Sequence, residues 1–403
     1  MNSNIYNYHL KAEIKLGSII AVAFFLLLLI TSLNNVSSSI SIIGFLALAI
    51  LLGGANFLLI YYLTKSSRVA TVHIMLLVVS LAYLLILLVG LLNNLTSRGM
   101  VISVQFISSI GFCIFLSLVR WDKDKVKKLG FYTVLFILIH FFIWVSQGFK
   151  PFFASIYNNS NLIGPYMLYS MFFIFWMKMY SKNKILLNII ILICLFIMYG
   201  SNTRSVMFAG IVGIITFIIW RFITKNKFRF MSYFLVIYSF IISFPFLYSQ
   251  LPNWKYYSYF EQLMLEYTEK SLMSGRQLIW NPIISMASKS PILGYGTGIS
   301  TEQVIGVSKS THNLYLNIVM QNGYLGLLIF SIILLSIWLI FWKAHNSKTV
   351  KLVAAFFIVT IVYQSFELTF TQNQLSVGLI QWFIISIGIS EYLHSNKVDK
   401  LIS

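Results

Sequence analysis

Three side chains far apart along the chain have the chemistry to move a group off a phosphate leaving group. Arg204 stands in GSNTRS, Arg276 in SGRQLIW and His312 in KSTHNLYL. A guanidinium offers a fixed fork of donors that matches phosphate oxygens. Two such forks beside one pocket suit a pyrophosphate, and fixed cations in a poorly hydrated site stabilise the charge that grows as its bond breaks. Histidine is the commonest general base and changes charge most easily near neutral pH. His312 therefore suits the deprotonation of a hydroxyl acceptor, and Asn313 beside it suits orienting the ring or holding a sugar hydroxyl. Each residue also has a plainer use: Arg204 as an interface anchor, Arg276 on the surface of a loop helix, His312 as a helix-end residue.

These residues must be positioned by a very apolar chain. Of its 403 residues 59% are hydrophobic and only 10% charged, against about 25% charged in soluble domains. About 20 apolar residues cross a bilayer as a helix. Such runs fall near 16–33, 39–63, 69–92, 100–120, 129–147, 160–180, 184–200, 204–222, 230–249, 313–342, 350–369 and 375–393. The sequence thus predicts an all-α integral membrane protein with about twelve transmembrane helices and one long helical extracytoplasmic loop between spans nine and ten. Residues 1–249 hold the first nine spans, 250–312 the loop and 313–403 the last three. The first run lacks a small-residue cleavage motif and is read as an uncleaved helix.

Orientation follows from the short loops. One face gathers 21 of the 29 Lys and Arg residues, among them Lys11, Lys15, Lys65, Arg68, Lys397 and Lys400. The other face has Arg98, Lys150, Arg204, Lys255, Lys270, Arg276, Lys289 and Lys309. The basic-rich face is expected to be cytoplasmic, with both termini on it and residues 250–312 outside. The net charge of +19 then reports orientation and attraction to anionic lipid, not nucleic-acid binding. Within the loop a helix is expected over Tyr256–Lys270, a break at Ser274-Gly275, and a second helix carrying Arg276, Trp280 and Ile284.

Other motifs have weaker claims. GYGTG, Gly294 to Gly298, lacks the preceding strand and following GKS or GKT of a phosphate loop, and reads as a turn into the tenth span. Trp254, Tyr256, Tyr257, Tyr259 and Phe260 read as an interfacial belt, with stacking on sugar rings as the alternative; Trp280 and Tyr295 share that choice. His73 and His140 lie within spans without an acidic partner and read as hydrogen-bonded structural groups. Glu367 is positioned to balance an arginine. Acidic residues are otherwise missing from span interiors, which argues against a proton-coupled carrier. Cys113 and Cys194 lie in apolar runs, so no disulfide framework or metal site is expected, and the scattered histidines show no zinc spacing.

Taken in order, NTRS at a span start, a long outer loop with SGR…W…P…GYGTG, and then HNLYL…NGYLG resemble the O-antigen ligase and polysaccharide polymerase family of bacterial membrane glycosyltransferases. The resemblance covers about residues 195–335. SNLIG, with Asn161, resembles a further family segment. It implies a bundle of about a dozen helices whose outer loop caps a cavity, in the cytoplasmic (inner) membrane. The donor would be an oligosaccharide on a polyprenyl (undecaprenyl-type) pyrophosphate, and the acceptor a sugar hydroxyl. No metal or nucleotide cofactor would be used. Membrane lipids, flippases and chain-length regulators would be partners. Arg204 and Arg276 would act on the pyrophosphate and His312 at the acceptor. Asn313, Lys150, Asn161, Trp280 and Tyr295 complete the candidate substrate-binding set. Gln321 departs from an acidic family position. Ser310 stands where some ligases have a second histidine, which favours a polymerase over a ligase. A carrier or flippase is the reading from another class.

Overall fold

The computed structural model describes residues 19–37, 39–65, 69–273 and 275–402, with side chains through 395. The start of the first expected span, Lys11, Lys15, Arg68, Ser274 and the side chains of Lys397 and Lys400 lie outside them. Among the described residues every regular element is helical. In chain order these are α1 (Ile19–Asn35, its last turn a 3₁₀ helix), α2 (Ser41–Lys65), α3 (Thr71–Asn93), α4 (Ser97–Ser117), α5 (Lys123–Ser146), α6 (Ser160–Lys178), α7 (Lys184–Gly200), α8 (Arg204–Ile218) and the single turn α9 (Trp220–Ile223). Then come α10 (Lys227–Ser249), α11 (Tyr257–Thr268), α12 (Gln277–Ala287), α13 (Thr301–Ile305), α14 (Leu314–Trp342), α15 (Lys348–Tyr363) and α16 (Leu375–Ile402). Seven of them, α2 to α5, α10, α14 and α16, are long and apolar enough to cross a membrane.

Which helices lie inside and which outside follows from what their side chains can reach. The most apolar window of α16 is 89% buried, whereas that of α10 is only 22% buried. Helix α16 packs against α4, α15, α6 and α14, and its polar groups are satisfied there. Gln381 donates to the Tyr169 hydroxyl at 2.8 Å, and the Ser376 hydroxyl shares a 2.7 Å hydrogen bond with Tyr166. On the outer helices, Phe45, Phe57, Leu85 and Phe142 point away from the protein. Such an apolar perimeter around a helical bundle is what a lipid surroundings selects, because only helices satisfy their own backbone there. The protein is a polytopic membrane protein.

The two intramembrane histidines are structural groups. His73 meets the Ser117 hydroxyl at 2.8 Å, and His140 meets the Ser155 hydroxyl at 2.6 Å.

The segment between α10 and α14 is folded, not a tether. Its α11 runs from Tyr257 to Thr268, shorter at each end than the sequence predicts, and α13 is an element the sequence reading does not contain. Trp280 is fully buried in a small core with Tyr248, Met273, Ile279, Ile283, Leu316 and Met320, which fastens the segment onto α10 and α14. The GYGTG stretch is likewise fixed. Tyr295 N–H donates to the Met320 carbonyl at 2.9 Å, Gly296 N–H to the Gln321 carbonyl at 3.0 Å, and the Thr297 hydroxyl to the Leu87 carbonyl at 2.7 Å.

The Met320 and Gln321 carbonyls are free because α14 is interrupted. Gly323 has φ 65° and ψ −171° inside the helix, a conformation open essentially to glycine alone. The sequence reading has the tenth span unbroken; the structure shows one break, at the Asn322-Gly323 pair. A Cβ on Gly323 would lie 2.1 Å from the Ile292 carbonyl oxygen. Gly323→Ala is therefore expected to lower stability by more than the about 1–3 kcal/mol of such backbone strain alone. The check is the thermal midpoint of detergent-solubilised protein, read by tryptophan fluorescence; a midpoint equal to wild type would contradict it.

Candidate active site

The turn between α7 and α8 and the connection between α11 and α12 are stitched together by cations. Asn202, with φ 53°, turns the chain so that Arg204 begins α8. Arg204 donates to the Ser271 carbonyl at 2.9 Å. Lys270 answers by donating to the Asn202 carbonyl at 2.8 Å, and the Asn202 amide donates to the Thr268 carbonyl at 2.8 Å. The Lys270 ammonium also lies over the Phe152 ring at 5.2 Å. Burial, with the Arg204 guanidinium second, holds this ammonium below its ordinary pKa.

Arg276 starts α12 after Gly275, whose φ of 72° makes the turn the sequence predicts. It donates to the Phe366 carbonyl at 3.3 Å and lies over the Phe366 ring at 5.3 Å. On the next wall, His312 has φ 48°, an uncommon conformation for a residue with a side chain. It is fixed by its neighbour. The buried Asn313 caps α14, its oxygen accepting from Leu316 N–H at 2.9 Å and its nitrogen donating to the Ser365 carbonyl at 3.0 Å. His312 Nδ1 lies 3.2 Å from the Glu367 carboxylate. An ionised carboxylate only accepts, so Nδ1 carries the proton of this bond and neutral His312 keeps its lone pair on Nε2.

Arg204, Lys270, Arg276, Lys309, His312 and Glu367 all line one cavity of about 760 Å³, as does Asn161 at the start of α6. Its four formal positive charges face one carboxylate, and that carboxylate is engaged by His312. The three candidate residues of widest sequence separation thus share a single hollow. The remaining candidates are not on its wall. The Trp280 indole is buried and donates to the Thr311 carbonyl at 2.7 Å, placing Trp280 behind the His312 turn. The Tyr295 hydroxyl donates to the Met286 carbonyl at 2.9 Å, inside the loop segment. Lys150 is exposed, and its carbonyl accepts from Trp144 at 3.0 Å. Asn313 is buried, with its amide engaged by Leu316 N–H and the Ser365 carbonyl, and holds the turn that carries His312. Glu367 pairs with His312, where the sequence suggests an arginine.

Two contributors escape the sequence reading: Lys270 and the pairing of Glu367. Lys270 sits on an ordinary helix end, and no local spacing announces its return to Asn202. Glu367 lies near the end of the expected span 350–369, which is a signal, but its partner lies 55 positions away.

The fold and cavity define a class first: a helical membrane protein with a cation-rich hollow at one end of the bundle, beside a folded loop. The family follows. Residues 189–331 match the family model described as O-antigen ligase. It is also 23% identical over 339 residues to a curated relative named ComP-specific O-oligosaccharyltransferase, from Acinetobacter baylyi. That match covers 74% of this chain and 58% of the relative's length. No solved structure matches the chain significantly.

A cavity with this charge should take an inorganic anion. Pyrophosphate is expected to raise the thermal midpoint of the purified protein, by about 2.7 kcal/mol of added stability at a hundredfold excess over its dissociation constant. Arg276→Ala should remove the shift. Equal shifts in wild type and variant would place the anion elsewhere.

Proposed function

We propose that the chain is a membrane glycosyltransferase that moves an oligosaccharide from a polyprenyl pyrophosphate to a hydroxyl acceptor on the extracytoplasmic face of the cytoplasmic membrane. The observation that carries this is the company of Arg204, Lys270 and Arg276 with the His312–Glu367 pair around one hollow. The three cations donate to main-chain carbonyls. A carbonyl acceptor does not cancel a cation's charge, and the cavity wall carries four cations against one carboxylate, so the hollow has a positive potential for an anion.

The chemistry then runs as follows. The anomeric carbon–oxygen bond to the pyrophosphate breaks, and its electron pair leaves on the lipid pyrophosphate. Arg204, Lys270 and Arg276 stabilise the charge that appears there. The acceptor hydroxyl oxygen bonds to the anomeric carbon, and its proton passes to His312 Nε2. Glu367 holds the ring through Nδ1 and stabilises the imidazolium that forms. Asn161, on the cavity wall, binds near the leaving group.

The lipid has a matching place. A second cavity of about 440 Å³ is lined almost wholly by apolar groups, including Met207, Gly210, Ile211 and Ile214 of α8 and Leu168 and Phe356 of its neighbours. Helix α8 therefore carries Arg204 at its first residue and this groove further along. A polyprenyl tail lying there would have its pyrophosphate at the arginines. In this arrangement all the expected spans, about twelve, cross the membrane, with both termini cytoplasmic and flippase and chain-length proteins as partners.

The acceptor decides between two readings. Ser310, where some ligases carry a second histidine, favours a polymerase that joins lipid-linked repeat units. The family description and the relative's name favour transfer to another acceptor, lipid A core or a protein. Purified protein in detergent, given the host's lipid-linked oligosaccharide alone, should release polyprenyl pyrophosphate and lengthen the glycan. Release only on adding lipid A core or an acceptor protein would select the second reading, and no release with any acceptor would end both.

Two substitutions test the roles. His312→Ala is expected to cut transfer by about 10²–10⁴-fold, the usual contribution of a general base, with folding intact by size-exclusion profile. Transfer within threefold of wild type, by rough allowance, would remove His312 from the chemistry. A side chain at Gly210 has room, since its nearest neighbour would be Leu168 Cδ1 at 3.6 Å. Gly210→Leu should therefore fold, fill the groove and raise KM for a long-chain donor more than for a short-chain analogue. Equal effects on both donors would place the tail elsewhere.

A further inference from the structure

A second polar hollow is lined by the strap that leads into His312. It has a volume of about 250 Å³ and is lined by the strap Ser308 to Thr311, by α13 and its cap, by Arg98 at the start of α4, and by Asn317 and Asn373. Lys309 lines this hollow and the cation-rich cavity alike. A more open hollow of about 510 Å³ shares Arg98, Ser300 and Glu302 with it, extending the track along the α4 end. The wall is made of hydroxyls, amides and one opposed charge pair of types, Arg98 and Glu302.

Asn317 marks this hollow as a place for a ligand. It is only 3% exposed, on the first turn of α14. Its oxygen is 3.4 Å from the Thr311 hydroxyl, but its amide nitrogen is buried without a hydrogen-bond partner among the described residues. A buried donor left unmade costs about 1–3 kcal/mol, so such a group asks for an acceptor from outside the chain. Asn317 is held in this state by its setting. The Thr311 hydroxyl also donates to the Asn313 carbonyl at 3.2 Å, and Thr301 donates to the Lys309 carbonyl, so the strap cannot relax toward it.

We infer that this hollow is the acceptor subsite and takes the hydroxyl-rich glycan that receives the transferred sugar chain. The inference rests on the reading of His312 as the acceptor's base. The donor's pyrophosphate belongs among Arg204, Lys270 and Arg276. The acceptor must reach His312 from another side, and the strap with Lys309 is the shared wall between the two spaces. Arg98 and Lys309 face Glu302 here, one net positive charge against three in the cation-rich cavity, and a wall made mostly of hydroxyls and amides suits sugar hydroxyls, which donate and accept, better than it suits a pyrophosphate. Arg98 and Glu302 bracket the track and add direction to the bound sugars.

The test separates binding from catalysis. The probe is the oligosaccharide freed by mild acid from the host's own lipid-linked glycan, titrated into the full-length protein in detergent by isothermal calorimetry. Wild type should bind it. Asn317→Ala, and the exposed double variant Arg98→Ala with Glu302→Ala, should each bind about tenfold more weakly, the size expected for a lost buried hydrogen bond. The double variant keeps the question open to refutation if Asn317→Ala fails to fold. Arg204→Ala should bind the free glycan as wild type does. In transfer assays the double variant should raise KM for the acceptor and leave KM for the donor unchanged. No binding to wild type, undiminished binding to the double variant, or a raised donor KM alone would overturn the assignment. Pyrophosphate release by the double variant reports on the transferase reading separately.

Discussion

The arrangement depends on cations that reach across the chain to carbonyl oxygens. Arg204, Lys270 and Arg276 each donate to a main-chain oxygen. Carbonyl dipoles give directional acceptors and leave the charge in place. The same bonds join distant parts of the chain: the α7–α8 turn to the α11–α12 connection, and α12 to the end of α15. Cations on the cavity wall thus help to dock the loop, alongside the Trp280 core.

The second constraint is the broken α14. A continuous helix from Leu314 to Trp342 would satisfy the Met320 and Gln321 carbonyls internally. Gly323 releases them, and the Tyr295–Gly296 backbone takes their place. The three glycines with positive φ in Gly294 to Gly298 allow close approaches on different sides: a Cβ on Gly294 would meet the Gln321–Gly323 backbone, one on Gly296 the Gly90 carbonyl and Asn94, and one on Gly298 the Gly99 backbone. The outcome is a rigid seat for the strap that ends in His312. In the proposed role of His312 such a seat matters, because a catalytic group misplaced by about 1 Å can lose most of its effect. The Gln321 side chain donates to the Ile299 carbonyl at 3.0 Å, so an amide does here the structural work that the family's acidic residue at this position would not do in the same way.

Much of this was legible in the sequence, for physical reasons that also mark the limit. Hydropathy placed a helix over each expected span, since apolar runs of that length have few other solutions in lipid. Arg204, Arg276 and His312 stood out because charge near an apolar segment is costly without a purpose. What composition cannot carry is partnership across the chain. Asn313 looked like a ligand because it neighbours His312, yet a residue at that spacing before a helix is also the best cap available. Trp280 looked like a stacking platform, yet a large indole beside a helix start is as useful for anchoring a loop. Lys270 and Glu367 gain their meaning only from residues some 50 to 70 positions away, the His312–Glu367 separation being 55 and the Lys270–Asn202 separation 68.

The proposed step would create a charge on His312, and the geometry says what would meet it. If His312 takes the acceptor's proton, the imidazolium forms against the Glu367 carboxylate, which lies 3.2 Å from Nδ1 and would offset it there. Arg204, Lys270, Arg276 and Lys309 line the same cavity, so in that reading the charge growing on the leaving group would form among cations. Proton uptake by the ring and charge development on the leaving group would then be favourable together and unfavourable apart, which is a reason for the cation cluster and the His312 turn to share one wall.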